Sequence, residues 1–231
     1  MPISGLTIFD IAALVWFFLL TAGYSYATRR GPLAKSGIVH AIDRRLAEWM
    51  SNMAERENRM VDVQILATLS RGNAFFASTS VFVTGALAAL FGNVEELHLL
   101  AAKFPFLRQT TVIMWQFKVL FLMGIFIFAF FKFAWAYRLS HYTGILIGAT
   151  PIPSGRNKRI CSSHAERAAG LAGGVGRHAN SGLRAYYFGI ATFGWFIHPT
   201  LFMATMAWVI GVLYRREYRS RALATIAGEN V

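Results

Sequence analysis

Cysteine and charged residues are both scarce in this chain of 231 residues. The single cysteine, Cys161, excludes an internal disulfide and a Cys-x-x-Cys site, and it fits a reducing compartment. Only 15% of the residues are charged, whereas average soluble domains have about 25%. Hydrophobic residues make up 55% of the chain and include 20 Phe and 6 Trp. This composition indicates a protein that lies in a lipid bilayer.

Residues that support catalysis or hold a metal are also missing from the apolar runs. No His-x3-His or Glu-x-x-His pair lies within a run, and the two histidines near spans, His141 and His198, are predicted at opposite faces. We find no catalytic triad. Asp10 is the only acidic residue near a span, whereas proton-coupled transport often relies on an intramembrane carboxylate. We therefore expect no metal, no cofactor and no enzymatic activity.

Long apolar runs predict the fold class. A bilayer core needs about 20 apolar residues as helix, and backbone amides in lipid must be satisfied within the helix. The runs predict spans at about 8–26, 74–91 and 112–137, followed by a longer apolar stretch over 183–214. We expect an all-α, polytopic helical membrane protein that forms a single transmembrane domain, 1–231.

The last apolar stretch allows two interpretations. Residues 183–214 would reach roughly 48 Å as one helix, which is too long for an upright span. Pro199 lies at its middle, where it removes a hydrogen-bond donor and disfavours helix at His198. A hairpin would give short spans at about 183–197 and 200–214, whereas the alternative is one kinked span. The count is therefore four to five spans, and we favour five.

The distribution of basic residues predicts the orientation. Lys and Arg are concentrated in the segments 27–71, 138–182 and 215–231, and few lie in 92–112. The positive-inside rule places these three segments in the cytoplasm and the N-terminus outside. Asp10, and no basic residue, precedes the first run, which is the charge order of an uncleaved anchor rather than a signal peptide. The sequence thus predicts a multi-pass protein of a bacterial inner membrane.

The net charge of +12 has the same explanation. Basic cytoplasmic loops attract anionic lipid headgroups, so we expect the lipid bilayer, and anionic lipids in it, as partners. Nucleic acid is the disfavoured alternative.

Two segments lie between the predicted spans. Ile42, Leu46, Trp49 and Met53 recur at three- and four-residue spacing and predict a cytoplasmic amphipathic helix, which either lies on the inner leaflet or covers the ends of the spans. The segment 165–176 is rich in Ala and Gly but fits no nucleotide-binding fingerprint, so we interpret it as a mobile or close-packed linker.

Seven residues are candidates for binding a ligand or lipid. Lys118 either snorkels to the headgroups or is a buried cation paired with Gln116 or His198. Arg71 and Asn73 stand at the predicted mouth of span two. Arg138, His141 and Arg184 form, with Asn180, either a cationic cluster for an anion or interfacial anchors. The candidates are Arg71, Asn73, Lys118, Arg138, His141, Arg184 and His198.

Three stretches of this chain together resemble a known family. They begin at Arg71, His141 and Gly182 and read Arg-Gly-Asn-Ala-Phe-Phe-Ala-Ser-Thr, His-Tyr-Thr-Gly-Ile-Leu-Ile-Gly-Ala-Thr-Pro and Gly-Leu-Arg-Ala-Tyr-Tyr-Phe. The chain is similar over roughly 8–220 to the uncharacterised membrane-protein family catalogued as domain of unknown function 599. The resemblance implies a multi-pass membrane protein and no assigned activity.

Two classes of function fit these features. The first is an accessory or structural subunit that binds another membrane complex or lipid, because the aromatic-rich spans carry no catalytic set. The alternative is a small homo-oligomeric transporter or channel for an anionic or polar solute, which Lys118 and the inner arginines favour.

Overall fold

Helices account for all the regular secondary structure that is described. The computed structural model describes residues 7–31, 33–104, 108 and 110–228, and no strand occurs among them. The predicted all-α class is confirmed. The helices of these residues are α1 Ile8–Arg29, α2 Ile38–Ala54, α3 Met60–Gly92, α4 Val94–Ala101, α5 Val112–Ala149, α6 Lys158–Thr192, α7 Gly194–Ile197, α8 Pro199–Tyr218 and α9 Arg221–Ala227.

Three of the described helices, α1, α3 and α5, are long and apolar enough to cross a membrane. The predicted spans 8–26, 74–91 and 112–137 lie within them. Both α3, of 33 residues, and α5, of 38 residues, exceed the about 20 residues that a bilayer core requires. Hydropathy located only the apolar parts of α3 and α5. Both helices continue into polar residues, which do not interrupt a helix. The count of four to five spans stays a prediction.

The chain divides into two compact units. Unit 1 comprises Met1–Ala34, Thr79–Ala129 and Leu183–Arg216, and unit 2 comprises Lys35–Ser78, Phe130–Gly182 and Glu217–Val231. The core of unit 1 includes Trp115, Val119, Leu122 and Phe126 of α5. The core of unit 2 joins residues of α2, α5 and α6, among them Met50, Met53, Ile147 and Cys161. The prediction of a single transmembrane domain stays a prediction.

Within unit 1, the stretch 183–214 folds as a hairpin. The helix breaks after Thr192 and again at His198, whose φ of −158° and ψ of 141° are extended. The two limbs contact each other in reverse order. Thr205 Oγ1 donates to the carbonyl of Ala191 at 3.0 Å, and Arg216 Nη1 donates to Tyr187 Oη at 2.8 Å. The hairpin interpretation is therefore the correct description of the backbone.

The segment 165–176 is helical, not a linker. It lies inside α6, which runs without interruption from Lys158 to Thr192. Glycines of α6 lie where a neighbouring side chain approaches the helix closely. A Cβ at Gly182 would stand 2.6 Å from Cε2 of Phe133, and one at Gly174 would stand 3.2 Å from Cδ1 of Leu139. The small residues that looked like a flexible sequence allow close packing of a helix instead.

The predicted amphipathic segment is helical and falls in α2. Met53 is fully buried, Leu46 and Trp49 are half-buried, and Ile42 is exposed. The buried side of α2 is completed by Met50. The predicted position of this helix at the cytoplasmic face of a membrane stays a prediction.

Candidate functional site

Trp195 in α7 contacts two buried charged side chains from other helices of unit 1. Its indole Nε1 donates to Oδ1 of Asp10 at 2.9 Å, and its carbonyl accepts from Nζ of Lys118 at 2.8 Å. Trp195 and Asp10 are 0% exposed, and Lys118 is 2% exposed. We call these three residues the Trp195 network. Charged groups within a membrane protein are costly unless they are paired, and here each charge has a polar partner.

Asp10 also holds the start of α1. Its Oδ2 accepts from the backbone N–H and the hydroxyl of Thr7, and its own N–H donates to Thr7 Oγ1 at 3.4 Å. This reciprocal pattern is a capping box, which satisfies two N–H groups at the helix terminus. A carboxylate is also favoured by the positive end of the helix dipole. The same contacts fix the direction of the oxygen that receives the Trp195 N–H.

Lys118 lies in α5 with its ammonium group inside the protein. Its Nζ stands 5.6 Å from the centroid of the Trp195 ring and 6.0 Å from that of Phe196, within the range of cation–π attraction. The charges of Lys118 and Asp10 attract each other as well. Snorkelling is therefore wrong for Lys118, and its hydrogen-bond partner is the Trp195 carbonyl rather than Gln116 or His198.

The break between α7 and α8 explains why a carbonyl of Trp195 is available. The last carbonyls of a helix have no partner within the helix, and the Pro at 199 has no N–H to offer. Nζ of Lys118 takes the Trp195 carbonyl, and the backbone N–H of Arg108 donates to the carbonyl of Ile197 at 3.2 Å. The free carbonyls at this helix end would destabilise the protein in an apolar environment. Donors from α5 and from the segment before it provide their hydrogen bonds.

Aromatic rings surround the Trp195 network. The Trp195 ring stacks on Phe202 at a centroid distance of 5.3 Å and meets Phe121 edge-on at 5.6 Å. Phe17 of α1 stacks on Phe202 at 6.1 Å. These rings exclude water, and hydrogen bonds between charged and polar groups are stronger where the local dielectric is low.

Arg184 of α6 is bound to α1. Its Nη1 donates to Thr28 Oγ1 at 3.0 Å, and its guanidinium lies 4.8 Å from the ring centroid of Tyr24. The side chain is 9% exposed. These contacts explain the position of Arg184 by packing between helices, while its role in ligand binding stays a prediction.

His198 stabilises the start of α8. Its Nδ1 accepts from the backbone N–H of Thr200 at 3.2 Å and lies 2.6 Å from the Thr200 hydroxyl. The imidazole therefore acts as an N-cap at the hairpin turn, where short polar side chains usually perform this function.

The remaining candidates lie in unit 2. Asn73 is buried and Arg71 is exposed, and both lie in the interior of α3 rather than at its start. On α5, the guanidinium of Arg138 lies 5.8 Å from the Tyr142 ring, and Nδ1 of His141 lies 2.9 Å from the carbonyl of Tyr137. Asn180, expected beside them, donates to Glu217 Oε1 at 3.4 Å. Arg138, His141 and Asn180 thus each have a partner within unit 2. Their predicted role as an anion-binding cluster stays a prediction.

Sequence reasoning missed two of the three residues of the Trp195 network. Asp10 was noted only for its position near a span, although Thr7 three residues earlier is the signature of a capping box. No local signal identifies Trp195, because its partners are separated from it by 77 and 185 residues. No group of three or more His, Cys, Asp or Glu that could hold a metal ion is found in the described part of the chain.

The class that these features indicate is a helical membrane protein, because α1, α3 and α5 are long and apolar enough to span a bilayer. A model of the family described as protein of unknown function, DUF599, matches residues 12–222. The chain therefore belongs to this family, and the resemblance seen in the sequence is confirmed. No curated protein and no solved structure matches the chain.

Proposed function

We propose that this protein is an accessory subunit of a bacterial inner membrane, with its N-terminus outside, that binds another membrane protein complex through α3. The observation that carries this proposal is the exposure of α3. Only 11% of its most apolar stretch is buried, compared with 22% in α1 and 33% in α5. An apolar helix surface of this extent requires lipid or a partner to cover it.

The exposed surface of α3 carries large side chains. Phe82 is 77% exposed and Val81 is 53% exposed. Aromatic side chains contribute much of the binding energy where helices or proteins associate. In contrast, the hydroxyl groups of Ser80 and Thr84 on the same helix already have hydrogen-bond partners. Ser80 Oγ forms a hydrogen bond with Tyr186 Oη, and Thr84 Oγ1 donates to the backbone carbonyl of Ser80. The hydroxyl groups of α3 therefore support packing more than a polar path for a solute.

The state of Lys118 also supports a structural role. An ammonium group that serves a transport pathway needs access to its solute, whereas the Lys118 ammonium is buried and bonded to the Trp195 carbonyl. It stabilises the hairpin turn rather than lining an aqueous cavity.

The native mass of the full chain extracted in mild detergent tests this proposal. We expect a complex larger than the chain, containing a second protein in fixed ratio. Phe82→Ala on α3 should reduce the amount of that protein by about tenfold, a loss typical of an aromatic interface residue. Phe131→Ala on α5, where the ring is 63% exposed, is the matched control and should leave it unchanged. A free monomer, or equal losses in both variants, would contradict the proposal.

One observation favours a second candidate, a homo-oligomeric transporter or channel for an anionic solute. Nη1 of Arg108 is buried and has no hydrogen-bond partner among the described residues, while its Nη2 donates to Thr7 Oγ1 at 3.4 Å. An unpaired guanidinium N–H beside the Trp195 network could receive an anion. A native mass that contains only copies of this chain would favour this candidate, and Arg108→Leu should then abolish solute flux in reconstituted vesicles.

A further inference from the structure

Unit 2 contains a basic cavity that none of the candidate residues above contacts. Its volume is about 360 Å³, and it lies between the start of α2 and the segment that ends in α9. Four side chains that can carry positive charge line it: Lys35, His40, Arg44 and Arg45. We call it the α2–α9 cavity. Its volume is at the lower end of the range for small-molecule sites, about 300–1,000 Å³.

The charge in this cavity is only partly neutralised. Among the described residues that line it, Glu48 is the one carboxylate, and it accepts from Arg45 Nη1 at 2.8 Å. Arg45 is held further by its Nε, which donates to the carbonyl of Ile226 at 2.9 Å. Lys35 and Arg44 are exposed and make no ion pair with any residue that the structure describes. Within the described part of the chain, two cations therefore line the cavity without an ion-pair partner.

The start of α2 adds to this positive potential. Gly37 is its N-cap residue, no side chain caps the helix there, and the first turn carries no acidic residue. The N–H groups and the dipole of a helix start favour anions. A Cβ at Gly37 would stand 2.8 Å from Cε1 of Tyr218, so this ring packs directly on the backbone at the helix start. The close contact brings the segment before α9 against the basic side of α2.

The opposite wall of the cavity is apolar. It consists of Leu223, Ile226 and Ala227 of α9. Ser220 caps the start of α9, where its hydroxyl accepts from the N–H of Leu223. Gly228 caps the end with a φ of 79°, a left-handed conformation that glycine adopts without strain. One wall thus suits an anionic group and the other a hydrocarbon substituent.

We propose that the α2–α9 cavity binds a phosphate group, carried either by an anionic phospholipid headgroup or by a free phosphate. Lys35 and Arg44 provide the charges that pair with the phosphate oxygens, since Arg matches phosphate geometry in a bidentate manner and Lys acts as a point charge. The start of α2 contributes backbone N–H groups. The site is independent of the accessory role proposed above, because none of its residues lies on α3.

Calorimetric titration of the full chain in a neutral detergent at low salt tests this site. The two probes are inorganic phosphate and dihexanoyl phosphatidic acid, and dihexanoyl phosphatidylcholine serves as the zwitterionic reference. Lys35→Ala with Arg44→Ala should weaken binding by about tenfold or more, because both cationic donors to the phosphate oxygens are lost. Arg156→Ala with Arg159→Ala removes the same charge from exposed positions outside the cavity and should leave binding within about twofold.

A second variant separates occupancy of the cavity from general charge attraction. Ala227→Phe places a ring at the apolar wall without changing the charge, and it should also weaken binding about tenfold while the melting temperature is retained. Binding of phosphatidic acid alone identifies a lipid headgroup as the source, and equal binding of inorganic phosphate identifies free phosphate. Absence of binding by both probes, or equal weakening in the two double variants, would overturn the proposal.

Discussion

Replacing Lys118 with methionine should lower the stability of this protein substantially. The methionine keeps the length and the apolar stem of the side chain but removes the ammonium group. The Trp195 carbonyl then loses its donor in surroundings formed by aromatic rings, and Asp10 loses the opposite charge that attracts it. A buried group that loses its partner retains the full cost of being removed from water.

The size of the loss follows from these two effects. A buried carbonyl without a donor costs about 1–3 kcal/mol, and the loss of the attraction between the charges of Lys118 and Asp10 adds to this cost. The effects overlap, and removing Lys118 also removes the cost of burying its own charge. We therefore expect the free energy of unfolding to fall by about 3 kcal/mol. For a chain of this size that corresponds to a decrease of about 6–12 °C in the melting temperature.

The measurement is unfolding of the full chain in a neutral detergent, followed by tryptophan fluorescence. Lys158→Met is the matched control, because Lys158 is exposed at the start of α6 and its replacement should change the stability by less than about 0.5 kcal/mol. In the double variant Asp10→Asn with Lys118→Met, neither charge remains, so part of the loss should be recovered, with a coupling of about 1 kcal/mol or more. Equal effects at Lys118 and Lys158, or strictly additive effects in the double variant, would refute the reasoning.

Two further predictions concern packing in unit 2. Gly182→Ala should destabilise the protein by about 1–3 kcal/mol, because a Cβ there overlaps an aromatic ring. Gly176→Ala on the same helix, where a Cβ meets nothing within 4 Å, should stabilise it by about 0.5–1 kcal/mol. Similar effects of the two substitutions in thermal melts would contradict the packing account of α6. Asp62→Ala should cost about 2–3 kcal/mol, because Asp62 is fully buried and accepts from Arg56 at 2.6 Å. Chemical denaturation should show almost no change for Glu57→Ala, which alters an exposed carboxylate nearby, and a large effect there would argue against a specific role for Asp62.

Hydropathy predicted the spans well because it measures what the bilayer selects. The predicted start of span one at residue 8 and of span three at residue 112 coincide with the first residues of α1 and α5. The ends were less predictable. α5 continues past Tyr137 to Ala149, since no proline lies between them and only the composition changes. A change of composition marks the limit of an apolar run, whereas a proline or a cap marks the limit of a helix.

The Ala- and Gly-rich part of α6 shows a second limit of sequence reasoning. Glycine lowers helix propensity, so a segment with four glycines between residues 170 and 176 was interpreted as a linker. Packing decides otherwise, because Gly174 and Gly182 allow Leu139 and Phe133 of α5 to approach the helix backbone. Information about the partner helix is absent from the local sequence. The same reason explains why the Trp195 network was missed, since its members are far apart in the chain.

The order in which the Trp195 network is synthesised has a consequence for biogenesis. Asp10 and Lys118 leave the ribosome 185 and 77 residues before Trp195. Until α7 emerges, the nascent protein holds an acidic and a basic side chain without the indole and the carbonyl that bind them in the folded structure. A chain cut off before α7 would lack the indole N–H that Asp10 accepts and the carbonyl to which Lys118 donates. The charges of Asp10 and Lys118 therefore gain these two partners only after α7 has been made.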